Sequence, residues 1–172
     1  MRSEGLARVP GVMTDSSDAA VSIETAYARA YADDWQSTFR LALAWTNDWA
    51  AAEDLAQEAF VRLWDRRATI DWSRPVLPWL LVTTRRLATD RFRSLRVRAR
   101  RPSPPPSPDE ALLVRWLDVR AAMAALSPLE RSAVVLTAVE GLSYAEAAVV
   151  VGISPGALRA AVSRARQKLE IA

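Results

Sequence analysis

Two residue types are missing from this 172-residue chain, and each absence closes a branch of chemistry. Without cysteine there is no disulfide framework, no thiol nucleophile and no thiolate ligand, which suits a reducing cytoplasm. Without histidine the chain lacks the commonest general base and any Ser–His or Cys–His pair. The two absences together remove the usual zinc ligands. No catalytic residue, metal or cofactor is expected. No stretch approaches the ~20 apolar residues of a membrane span, and the N-terminus lacks a signal-peptide core, so a cytoplasmic protein without membrane insertion is expected.

What is present is half hydrophobic, enough for one or two small globular domains. The net charge of +3 hides a strong pattern. Residues 1–80 carry −4, residues 81–101 carry +7, residues 102–158 carry −3 and residues 159–172 carry +3. Two basic zones in an otherwise acidic chain suggest two surfaces for a polyanion.

Helical periodicity and caps divide the chain. Residues 1–22 are polar and aperiodic and are expected to be a disordered leader. A helix from Ile23 to Trp45 follows, then one capped by Asn47 or Asp48 and running to Arg66. The apolar face of the latter is Ala52, Leu55, Ala56, Ala59, Phe60 and Leu63, with Trp64 at its edge and Glu53, Asp54, Gln57 and Glu58 opposite. After a loop containing Trp72, a third helix spans Pro78 to Leu95. Five prolines within residues 102–108 cannot lie inside a helix or sheet and read as a semi-rigid tether. Beyond it, Leu113–Leu126 and Pro128–Gly141 are helical, the second opened by a Ser127–Glu130 capping box. The expected fold is all-α: two small helical bundles, residues 23–96 and 111–172, joined by an Arg/Pro-rich linker at 97–110.

Each basic zone falls on a helix. On the third helix, Leu77, Leu80, Leu81, Thr84, Leu87, Ala88, Phe92 and Leu95 share one face, while Arg85, Arg86, Arg93 and Arg96 cluster on the other. Trp72 and Trp79 stand nearby, and aromatics beside arginines suit unpaired bases. At the C-terminus, Ser143 and Glu146 form a capping box, Ala148 permits close helix crossing, and Gly152 suits a sharp turn. Ser154 is the next N-cap and Pro155 a first-turn residue. Leu158, Val162, Ala165 and Leu169 form a buried stripe, and Arg159, Ser163 and Arg166 share another face. This is a helix-turn-helix with a presentable recognition helix.

The arrangement resembles an extracytoplasmic-function (ECF) sigma factor of bacterial RNA polymerase, within the sigma-70 family. Ala51–Arg67 is similar to the family's polymerase-docking helix, Pro78–Ser94 to its promoter-opening helix, and Leu126–Leu169 to its fourth-region domain. The resemblance implies that Asp54, Gln57, Glu58 and Trp64 meet the polymerase. It implies that Trp79, Arg85, Arg86, Asp90 and Arg93 form the minus-ten surface, with the Asp71–Leu77 loop capturing a flipped base. It implies that the recognition helix enters the minus-thirty-five major groove, with Ser154, Gly156, Arg159, Ser163, Arg164 and Arg166 at the contact. Core polymerase, promoter DNA and an anti-sigma factor are the implied partners. The chain departs from the family where Ala157, Ala160 and Ala161 replace polar or basic residues, which removes hydrogen-bond donors from the recognition helix, and where Arg86 replaces an asparagine on the promoter-opening helix. Two other readings are a stand-alone helix-turn-helix regulator, which expects tight duplex binding without polymerase, and a helical scaffold indifferent to DNA.

Overall fold

The structure is a computed structural model describing residues 15–94 and 119–170, with side chains over 22–91 and 119–170. The proline tether, Arg96 and the first 14 residues lie outside the described residues, as does the side chain of Arg93. Seven helices are described: α1 (Asp15–Thr46), α2 (Trp49–Asp65), α3 (Leu77–Ser94), α4 (residues 119–124), α5 (Pro128–Val134), α6 (Tyr144–Val151) and α7 (Pro155–Glu170). No strand occurs among the described residues. The leader expectation needs correction. Helix α1 starts at Asp15 rather than Ile23, because a nucleated helix propagates without needing the apolar stripe on which the sequence reading relied.

Helices α1, α2 and α3 form the first bundle. Asp48 caps α2 by accepting from the Ala51 amide at 2.8 Å. The expected stripe of α2, Ala52 through Leu63, is buried throughout and meets Leu80, Leu87 and Ala88 of α3. Tyr27, Tyr31 and Trp35 of α1 surround the Phe60 ring at centroid distances of 4.9 to 6.3 Å. The buried hydroxyls of Thr38 and Thr84 donate to the carbonyls of Asp34 and Leu80 in their own helices, so neither is a stranded polar group.

The second bundle is built by α5, α6 and α7. Both capping boxes form: the Ser127 and Ser143 side chains accept from the amides of Glu130 and Glu146, whose carboxylates reach back. The helix expected to run to Gly141 widens into a π turn at Val135–Val139, and Gly141 ends it at φ +71°.

The two bundles are packed together. Leu41 of α1 and Leu81 of α3, both fully buried, enter the core made by Leu136, Ala147, Val150, Leu158 and Val162. The broad apolar face of α3 therefore divides, Leu80 and Leu87 serving one core and Leu81 the other.

Candidate nucleic-acid interface

Gly152 makes the turn of the helix-turn-helix. Its φ of +76° is the left-handed conformation that L side chains avoid, and its amide closes α6 on the Ala148 carbonyl. Ser154 then accepts from the Ala157 amide at 3.1 Å and starts α7. The two helices meet at 97°, within the usual range for this motif. Leu158, Val162 and Ala165 are buried, as the stripe required. Ala161 is buried too, at 0% exposure, so its alanine packs the core and costs no surface donor; only Ala157 and Ala160 face water.

Opposite that stripe, Arg159, Ser163 and Arg166 line one exposed groove with Tyr144. The Arg159 guanidinium lies 5.4 Å from the Tyr144 ring centroid, which orients the cation while leaving its edge in solvent. A Cβ on Gly156 would meet nothing within 4 Å, so the backbone there is open to close approach. Arg164 stands apart from this face. At 100° per residue it lies about 140° round from Arg159, and its Nε sits 3.4 Å from the Glu130 carboxylate. Lys168 donates to the same carboxylate at 2.8 Å. The hydrogen bond from Lys168, then that from the Ser127 amide, outweigh burial and hold Glu130 down at about 2. Glu130 thus ties α7 to α5. Only its capping role was visible in the sequence.

On α3, Arg86 and Asp90 are exposed, whereas Trp79 packs against the first core. Arg85 is half-buried: its Nε donates to the Val150 carbonyl at 3.3 Å, across the C-terminal end of α6. In the preceding loop, Asp71, Ser73 and Arg74 are exposed, while the Trp72 indole donates to the Arg67 carbonyl at 2.9 Å.

The α2 residues are split as well. Gln57 and Glu58 are exposed, with Glu58 accepting from Arg62 at 2.9 Å. Asp54 pairs with Arg91 of α3 at 3.3 Å. Trp64 is half-buried between Tyr27 and the Arg67 guanidinium, 4.5 Å from its ring. Val61, 53% exposed on the same helix, is an apolar addition that sequence periodicity did not flag.

Comparison with known proteins fits this layout. Residues 27–98 match the family model "Sigma-70 region 2", and residues 116–169 match "Sigma-70, region 4". The ECF RNA polymerase sigma factor SigL of Mycobacterium tuberculosis is 33% identical over 163 residues, covering 88% of this chain and 92% of SigL. The chain belongs to the ECF sigma factor family. Region 2 of this sigma-family chain takes in α1 from Tyr27 through α3, and region 4 takes in α4 to α7. The probable sigma factor RfaY of Xanthomonas campestris is 38% identical over 164 residues, 86% of this chain but 40% of RfaY. SigE of Mycolicibacterium smegmatis is 34% identical, over 76% of this chain and 55% of SigE. The chain therefore spans about half the length of those two relatives. Among solved structures, CnrH in complex with the cytosolic domain of CnrY matches at a TM-score of 0.67 and 26% identity, covering 90% of this chain and 92% of CnrH. RpoE of Bartonella quintana, in complex with the anti-sigma factor NepR, shares the fold at a TM-score of 0.65 and 22% identity, over 90% of this chain and 95% of RpoE. Among the described residues, no single helix is long and apolar enough to cross a membrane, and no acidic cluster could hold a metal.

Proposed function

We propose that this chain is a promoter-specificity subunit that docks on core RNA polymerase in the cytoplasm and directs where transcription starts, with no catalytic residue of its own. The observation that carries this reading is the exposed Arg159–Ser163–Arg166 face of α7, combined in one chain with a second arginine-bearing helix, α3. The α7 face has the dimensions and donors to read a duplex major groove, with Ser154 and Gly156 approaching phosphate. Arg86, Asp90 and Arg93 on α3 serve the minus-ten element beside Trp79, with the half-buried Arg85 at its margin. The exposed Gln57, Glu58 and Val61, with Asp54 and Trp64 at the margins, form the polymerase-docking face of α2. Anti-sigma regulation is proposed as well, since RpoE is found with such a partner. Multi-round run-off transcription with core polymerase tests the function. Initiation at defined sites is expected; no initiation above core alone would overturn it, and tight duplex binding without polymerase would favour a stand-alone regulator.

A further inference from the structure

Arg159 is the first residue of α7 with a side-chain donor, since Pro155, Gly156, Ala157 and Leu158 precede it. Its own helix does little to hold it. The residues one turn away are Pro155, Gly156, Val162 and Ser163, and none is a carboxylate that could fix a guanidinium. Among the described residues Arg159 makes no ion pair, whereas Arg164 is tied to Glu130. Its neighbour is instead a ring on the other helix of the motif: the Tyr144 centroid lies 5.4 Å from the guanidinium carbon. Tyr144 opens α6 directly after its capping box, in which the Glu146 amide donates to Ser143 Oγ at 3.2 Å and the Ser143 amide to the Glu146 carboxylate at 2.9 Å. The ring is half-buried against the second core. A tyrosine has few torsions to fix, and this one is anchored both at its backbone and by its packing.

We propose that Tyr144 is a positioning residue for DNA recognition: its ring holds the Arg159 guanidinium at the groove, so that α7 presents a fixed donor fork instead of a swinging charge. The proposal rests on the functional reading above, in which this face of α7 meets duplex DNA. An unrestrained arginine neutralises any phosphate within its reach, whatever the sequence. Discrimination between base edges needs the fork in one place, because its donors must meet a pair of acceptors together. Contact with the ring restricts the side chain before DNA arrives and so lessens the ordering entropy lost on binding. Attraction between an exposed cation and an aromatic face corresponds to about a two- to fivefold change in affinity. The ring supplies that attraction and the hydroxyl does not, so phenylalanine should serve as well as tyrosine.

A double-mutant cycle tests the contact. Affinity is measured for a duplex selected from random sequence by the full chain, alone or on core polymerase, and for the same duplex scrambled. Tyr144→Leu is expected to weaken binding to the selected duplex about two- to fivefold and to leave the scrambled one nearly unchanged. The slope of log affinity against log salt should stay at its wild-type value, because the charge of Arg159 is still present. Tyr144→Phe is expected to keep the wild-type ratio of the two affinities. In an Arg159→Ala chain, Tyr144→Leu should change nothing further; damage to the fold would instead appear in both backgrounds. Equal losses with and without Arg159 would overturn the proposal, as would a Tyr144→Phe chain as unselective as Tyr144→Leu. So would an unaffected Tyr144→Leu chain whose binding still depends on Arg159. If Arg159→Ala itself leaves both affinities unchanged, the reading of α7 as a DNA surface fails, and the role of Tyr144 with it.

Discussion

The carboxylate of Glu130 accepts from the Ser127 amide and from Lys168, both at 2.8 Å, while only 4% of the residue is exposed. Its pKa of about 2 lies below its ordinary 4.5, so the folded state favours the charged form. The sign follows from linkage: the stabilisation is complete above the unfolded value and is lost as pH falls from about 4.5 towards 2. With Lys168 and Arg164 partly in water, screening limits it to roughly 1–2 kcal/mol. Urea titrations should show Glu130→Gln less stable by that amount at pH 7, with the gap to the wild-type chain closing near pH 2. A gap that persists at pH 2 would mean that the carboxylate charge is not what stabilises the site. Gly152 is constrained by its backbone instead. Alanine there must adopt φ +76°, at a cost of about 1–2 kcal/mol, and push Arg85 aside. A midpoint lowered by that amount in Gly152→Ala, measured by thermal unfolding, is the expected result.

At the scale of single helices, much was legible in the sequence, for a physical reason. The α2 stripe, both capping boxes and the 152–155 turn depend on residues three or four apart, and such rules need no knowledge of the remaining chain. The face of α7 was legible in its periodicity, which groups Arg159, Ser163 and Arg166. Family likeness alone added Arg164, whose position on the helix turns it to Glu130. The difference can be measured in DNA binding by the free protein or by its complex with polymerase. Arg159→Ala and Arg166→Ala should each lower the slope of log affinity against log salt by about one, as expected when one phosphate contact is lost. Arg164→Ala should leave that slope unchanged and lower stability instead. Equal slope losses at all three positions would place Arg164 at the DNA.

Across the whole molecule, the sequence was silent where the fold is most consequential. The proline run at 102–108 reads as a tether in sequence but carries no signal for whether the bundles on either side of it touch, and Leu81 reads as one more member of an apolar stripe. Contacts between residues a hundred positions apart, such as Arg40 with Glu140, have no period to betray them. Leu41 and Leu81 are the thermodynamic bridge, since each buries an entire side chain in a core supplied mainly by the other bundle. Burial of that kind is worth about 1.5–3 kcal/mol per leucine, so full separation gives up as much as about 3–6 kcal/mol from these two alone. The same coupling makes stability a property of the pair. Leu41→Ala, a change in α1, should cost about 2–5 kcal/mol. Native-state hydrogen exchange should show faster exchange in α6 and α7 as well as in α2. Acceleration confined to α1–α3 would show two independently stable bundles whose contact contributes nothing to either.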